Sequence, residues 1–84
     1  MDIIARDGET MVFVEVKARE GRAFGEACEA VTANKRRTIT RLALDYLMRN
    51  RLTECCCRFD VVSIHFESGT PVIDVYRNAF DATL

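Results

Sequence analysis

The stretch Asp2-Ile3-Ile4-Ala5-Arg6-Asp7-Gly8-Glu9-Thr10-Met11-Val12-Phe13-Val14-Glu15-Val16-Lys17 decides how the chain is read. Residues 2–6 are extended and apolar, Asp7-Gly8 is a turn signal, and residues 11–17 are rich in Val and Phe. Two such runs around a short turn predict a β-hairpin. Side chains alternate between faces along a strand, so spacing assigns each residue to a face. If the loop is Asp7 to Thr10, Arg6 pairs with Met11 and Asp2 lies opposite Glu15. If the loop is only Asp7-Gly8, Asp2 faces Phe13 and Glu15 is one step along. Either even-length loop puts Asp2, Glu15 and Lys17 on one face, and a bulge would spoil this.

The rest of the chain completes a layered α/β domain. Ile39, Leu42, Ala43, Tyr46 and Leu47 follow i, i+3, i+4, i+7, i+8 spacing, which predicts one buried face of a helix running to about Arg51. Thr32 or Asn34 is placed to cap it. A short helical turn is expected around Glu26 to Val31. Residues 58–66 read as a third strand, Glu67-Ser68-Gly69-Thr70 as a turn, and residues 72–77 as a fourth strand. The order is ββαββ. The simplest solution is a mixed sheet with a helix on one face, the helix serving as a crossover between parallel strands.

With 84 residues, 49% of them hydrophobic and 30% charged, the chain reads as one ordered globular domain. No apolar run is long enough to cross a bilayer, and no secretion signal is read at the start. A cytoplasmic location is expected. Cys55, Cys56 and Cys57 are consecutive, and Cys28 stands apart. That spacing fits neither a disulfide framework nor paired Cys-x-x-Cys zinc ligands, so these read as reduced thiols leading into a buried strand. His65 reads as structural or exposed, Asp60 as a member of a structural ion pair with the helix or the basic segment, and Tyr46 as core.

The net charge of −1 conceals an asymmetry. Residues 17–51 hold nine of the twelve Lys and Arg and four of the thirteen acids, a balance of +5, which leaves −6 for the remainder. Such a segment can steer a polyanion, although solvated helix charges give the same count.

Two carboxylates on one sheet face repel unless a cation or proton lies between them. Mg²⁺ suits one or two carboxylates with waters and phosphate oxygens, and a neighbouring lysine can orient water or neutralise developing charge. The Val16 carbonyl is a further candidate ligand. On these residues alone, a half-exposed strand face with a cross-strand ion pair explains the pattern too. Against that plain reading, Val12, Val14 and Val16 cover one face while Phe13 makes the other partly apolar, so charges there are costly to keep.

Several motifs then carry a resemblance over nearly the whole chain: Asp-Ile-Ile-Ala-Arg-Asp-Gly at 2–8, Val-Phe-Val-Glu-Val-Lys-Ala-Arg at 12–19, Phe24-Gly25, Glu29-Ala30-Val31, Lys35, Ala43 with Tyr46-Leu47, Arg58-Phe59-Asp60-Val61-Val62, and Arg77-Asn78-Ala79-Phe80. The chain resembles the YraN-like family, placed in the restriction-endonuclease-like PD-(D/E)xK nuclease superfamily and related to archaeal Holliday-junction resolvases. The resemblance implies that Asp2 and Glu15 are metal ligands with Val16, that Asp2, Glu15 and Lys17 form the catalytic group, and that Lys17 helps activate water. It implies phosphate contacts at Lys35, with Arg19 and Arg36 as further nucleic-acid-binding candidates. The expected cofactor is Mg²⁺ or Mn²⁺, and the expected reaction is endonucleolytic hydrolysis of DNA, branched or damaged DNA included.

In that family a helix and a further strand ending in Gly-Glu-Ile precede the aspartate, whereas here Met1 stands at the Ile position. The fold is therefore expected to be restriction-endonuclease-like without the first helix and strand, a single domain over 1–84 that is incomplete at its N-terminus. Asp2 then lies beside the α-amino group, which competes with a metal. The uncovered sheet edge is expected to pair copies into a homodimer or larger assembly. Activity of this form is expected to be reduced. The alternatives are a nucleic-acid-binding module without catalysis and an interaction domain using its open edge.

Overall fold

The computed structural model describes residues 1–19 and 31–83. The elements are β1 (Ile3–Asp7), β2 (Thr10–Arg19), α1 (Ala33–Arg49), β3 (Cys57–Glu67) and β4 (Thr70–Phe80). The four strands form one mixed sheet in the order β1-β2-β3-β4, so the ββαββ architecture is as expected. The helical turn expected at residues 26–31 falls largely outside the described residues.

The first hairpin takes the longer-loop register. Ile3 pairs with Val14, Arg6 with Met11 and Asp7 with Thr10, which leaves Gly8 and Glu9 as the loop. Gly8 has φ 60°, the positive value that the first position of a II′ turn requires. In the β3–β4 hairpin, Ser68 (φ 50°) and Gly69 (φ 78°) are both left-handed, as a two-residue I′ loop demands. β2 and β3 run parallel, joined by the crossover that contains α1.

Thr32 caps α1, its hydroxyl accepting the Lys35 N–H at 3.2 Å. At the other end the Leu52 N–H reaches Leu47 O (2.7 Å) and the Arg51 N–H reaches Met48 O (3.3 Å), with Arg51 at φ 56°. This is a Schellman closure with Arg in the left-handed position that Gly usually takes. It ends α1 just short of the expected boundary.

The core lies between α1 and one face of the sheet. Met11, Phe13, Phe59, Val61 and Phe80 meet Val31, Ile39, Ala43 and Leu47. Phe59 stacks on Phe80 at 5.1 Å between centroids, and Tyr46 sets its ring edge against Phe13 at 6.1 Å. The buried stripe of α1 is Ile39, Thr40, Ala43 and Leu47. Leu42, expected inside, is 48% exposed. The stripe is rotated toward Thr40 because the Thr40 hydroxyl finds two partners there: it donates to Arg36 O (2.8 Å) and accepts the Thr83 N–H (2.9 Å), which ties down the tail. The cysteines agree with expectation: Cys55, Cys56 and Cys57 are free and lead into the largely buried β3, with Cys55 half-buried and the other two exposed.

The opposite sheet face carries no helix among the described residues. Ile3, Phe66, Ile73 and Val75 are exposed there, and every residue of the edge strand β1 is exposed. That face also holds a buried acid. Asp60 takes a forked contact from Arg58 (Nε at 3.0 Å to Oδ1, Nη2 at 3.1 Å to Oδ2), and Arg58 reaches on to Asp7 at 2.8 Å. The Asn78 N–H donates to Asp60 at 3.0 Å. Asn78 sits at φ 52° in a bulge where residues 77–79 of β4 oppose Asp60 alone. Asp60 is thus a structural ion-pair member as expected, but its partner comes from its own strand. Among the described residues, no helix is long and apolar enough to cross a membrane.

Candidate active site

The hairpin register and the alternation along β2 bring Asp2, Glu15 and Lys17 onto the helix-covered face, at the carboxyl end of the parallel pair β2/β3. Ligands of sheets with parallel strands commonly bind at such an end. The crossover returns α1 with its first turn at this same end, which delivers Lys35.

Glu15 is the centre of the group. It is only 4% exposed, a rare state for a carboxylate unless it is paired. Three cations approach it: the Met1 amine at 3.0 Å from Oε1, the Lys17 ammonium at 3.4 Å from Oε2, and the Lys35 ammonium at 3.6 Å from Oε2. The first of these has ion-pair distance without hydrogen-bond alignment. Oε1 is buried and has no hydrogen bond among the described residues.

Asp2 stands beside Glu15 and is fixed by the backbone. Its N–H donates to Val14 O (2.9 Å), and its Oδ2 accepts the Val16 N–H at 2.8 Å. That Val16 hydrogen bond is the main reason its carboxyl is held below the ordinary value of 3.8. Burial opposes the shift, while a hydrogen bond with the Glu15 side chain and the charges of the Met1 amine and Lys35 add to it. The N–H and C=O of one strand residue point to the same edge. The Val16 carbonyl therefore points toward the β1 side, past the start of that strand, where Asp2 also lies.

Of the other expected phosphate contacts, Arg19 lies in β2 opposite His65, and its side chain is outside the described residues. Arg36 is engaged elsewhere: Nε donates to Val31 O (2.9 Å), and the guanidinium lies 5.3 Å over the Phe80 ring. That placement serves packing through a cation–π contact. The same face holds polar groups that spacing did not single out. Buried Ser63 is registered with Lys17 on one side and Asp74 on the other. His65 is fully buried, with Glu67 at 3.4 Å from Nε2 and Asp74 at 4.0 Å from Nδ1. The odd-numbered run Val61, Ser63, His65 on β3 was the available signal. Among the described residues, no cluster of three or more His, Cys, Asp and Glu gathers around one point.

A family model, Uncharacterised protein family UPF0102, matches residues 1–64, which include the whole group around Glu15. The chain is 47% identical over 81 residues to a UPF0102 protein of Geobacter metallireducens, covering 96% of this chain and 66% of that one. It is 49% identical to UPF0102 protein Nmul_A0195 of Nitrosospira multiformis, with the same coverage. With UPF0102 protein STH1475 of Symbiobacterium thermophilum it shares 53% identity over 83 residues, covering 98% and 70%. The chain thus spans about two thirds of the length of these relatives. A family match over most of the chain, joined to identities near one half, shows that the chain belongs to the uncharacterised protein family UPF0102.

Proposed function

We propose that this chain is the metal-dependent nuclease module of a restriction-endonuclease-like protein that hydrolyses phosphodiesters of DNA, branched or damaged DNA among them. One observation carries the reading. Glu15 is buried, one of its oxygens lacks a hydrogen bond, and it stands beside a second carboxylate and two lysines. Burying a carboxylate this way is costly for stability, and such arrangements cluster at functional sites.

The donor set fits a hard divalent cation. Glu15 Oε1, the Asp2 carboxylate and the Val16 carbonyl are all oxygens, which suits Mg²⁺ or Mn²⁺. When bound, such an ion polarises a phosphodiester and lowers the pKa of a coordinated water. Asp2 is oriented for this by the Val16 N–H. Lys17 orients the attacking water and offsets charge in the transition state. Lys35, more exposed at the first turn of α1, holds a phosphate of the substrate, with Arg19 as a second contact further along β2.

One observation favours a second reading, DNA binding without cleavage. The ammonium groups of Lys17 and Lys35 both close on one Glu15 oxygen, Oε2, at 3.4 and 3.6 Å, and each keeps a solvent-facing side. This arrangement attracts phosphate more readily than a cation. As a further part of the proposal, the exposed edge of β1 pairs with a second copy.

The test is incubation with Mg²⁺ or Mn²⁺ and single-stranded, duplex, flap and four-way DNA. Cleavage is expected from the wild type and not from the Glu15→Ala, Lys17→Ala double variant. Equal cleavage by both would sink the catalytic reading. Salt-sensitive binding without cleavage would favour the second.

A further inference from the structure

Among the described residues β4 is an edge of the sheet, and the ladder fixes which of its backbone groups face outward. The Met11 N–H donates to Cys56 O at 2.8 Å, with Met11 in register with Cys57. The N–H and C=O groups of successive strand residues point to alternate edges, so even-numbered residues of β3 bond to β2 and odd-numbered ones to β4. The hydrogen-bonded pairs of β3 and β4 are therefore Val61–Tyr76, Ser63–Asp74 and His65–Val72. Ile73 and Val75 then aim their N–H and C=O away from the sheet. Pro71, of the same parity, agrees with this: a proline in a strand sits where its missing N–H would face outward.

The same two residues carry exposed apolar surface. Ile73 is 61% and Val75 56% exposed, more than the other exposed large hydrophobics of the sheet. Both project from the open face, in register with Ile64 and Val62. From Val72 to Arg77 the strand has no proline, glycine or left-handed residue. A regular apolar edge of this kind is a template for another strand. We propose that β4 is a homodimer interface, pairing antiparallel with β4 of a second copy about a two-fold axis through Val75, so that two four-stranded sheets join edge to edge.

Charge and register point to a second copy and to that axis. A two-fold pairing in one continuous sheet sets side chains of the same face opposite each other, so the axis passes through a residue and not between two. Centred on Asp74, it places Asp74 against its own copy, and like charges directly opposite destabilise a pair. Centred on Tyr76, it carries Ile73 onto Ala79, past the left-handed Asn78. Centred on Ile73, it sets Val75 against Pro71, which has no N–H to give. Centred on Val75, it avoids all three. The two Val75 residues exchange N–H···O bonds, Ile73 faces Arg77 of the second copy, and Asp74 faces Tyr76 of the second copy. The acid and the base of the run, Asp74 and Arg77, each meet an uncharged side chain, and Ile73 and Val75 of both copies form one apolar strip.

This interface is independent of the nuclease reading. Glu15 lies on β2, with β3 between it and β4, so pairing at β4 leaves the Glu15 group uncovered. It is also distinct from pairing at β1, a strand of five residues at the opposite edge. Pairing through both edges would extend the sheet into an open chain of copies, so the test silences one edge first.

The experiment is sedimentation equilibrium of the full chain carrying Ile4→Pro, which removes an outward N–H from β1. This chain is expected to remain dimeric. Adding Val75→Pro is expected to raise the dissociation constant at least about tenfold. The Val75 N–H points away from β3, so the hydrogen bonds within the chain are kept, and circular dichroism with the urea midpoint checks this. Charge at position 73 reads the register. Ile73→Lys meets Arg77 of the second copy and is expected to weaken the dimer about threefold, whereas Ile73→Glu meets it favourably and holds or tightens the dimer. Should Ile4→Pro disturb the fold, this pair is read in the wild-type chain. A monomer in the Ile4→Pro chain, a dimer indifferent to Val75→Pro, or equal weakening by Lys and Glu each overturns the proposal. Glu15→Ala is expected to leave the dimer unchanged, so the interface and the nuclease reading stand or fall separately.

Discussion

Glu15 and Asp60 are equally buried, 4% exposed each, on adjacent parallel strands one register position apart. Their surroundings differ completely. Asp60, on the open face, has a forked guanidinium and a backbone N–H, all at hydrogen-bond distance. Glu15, on the helix-covered face, has ammonium groups at 3.0 to 3.6 Å and one oxygen without a hydrogen bond. A guanidinium holds a carboxylate in a fixed geometry, whereas an ammonium on a four-carbon stem does not. The fully satisfied acid holds the structure together. The incompletely satisfied one is the acid to which the proposed function assigns a ligand. Burial alone does not separate the two roles, but the quality of the partners does.

The largest expected effect breaks the Asp60 side of this contrast. Asp60→Ala strands Arg58 and the Asn78 N–H, and a loss of about 3 kcal/mol of stability is expected, read as a lower urea midpoint at unchanged slope. Glu15→Gln is the counterpart. Its lysine partners are partly exposed and can turn to water, so stability is expected to change by less than about 1 kcal/mol, while DNA cleavage and Mn²⁺ binding are lost. If the two substitutions destabilise equally, the distinction between the acids fails.

A third expectation concerns the polar position inside the helix stripe. Thr40→Val keeps the shape but leaves the Thr83 N–H without its acceptor, at a cost of about 1 kcal/mol in thermal or urea unfolding. The smallest effect is a pH dependence in the Asp60 network. The Arg58 hydrogen bond, with its charge adding, holds the Asp7 carboxyl below the ordinary 3.8. A folded pKa below the unfolded one contributes stability that is present above 3.8 and lost as pH falls through the folded value. Asp7→Asn is therefore expected to lower the melting temperature slightly near neutral pH, the gap to the wild type closing in strong acid. A gap that stays constant into strong acid would show that Asp7 contributes nothing through its charge.

Much of this was legible in the residues. Turn chemistry at Gly8 and at Ser68-Gly69 is local, so both hairpins could be placed from sequence, and an even loop was enough to put Asp2, Glu15 and Lys17 on one face. Strand lengths were less legible. β4 runs to Phe80 because a bulge around Asn78 continues the pairing past the expected end at residue 77. The inward turn of Thr40 in place of Leu42 was illegible, because hydropathy spacing cannot register a hydroxyl whose acceptor and donor lie on two different segments. Arg36 was similarly opaque: its charge suggested phosphate, and its ring partner Phe80 is 44 positions away along the chain.

The sequence by itself determined directions: which strand residues share a face, where the chain turns, and which two residues, Thr32 or Asn34, stand ready to cap the helix. These follow from backbone periodicities of two and 3.6 residues and from short-range turn chemistry, which act over a few residues. The tertiary structure alone decided distances and partners. It brought Lys35 to Glu15, left Oε1 without a hydrogen bond, and closed Arg58 on Asp60. Those outcomes depend on how the crossover seats α1 on the sheet, a packing event between segments far apart in the chain that no local pattern encodes.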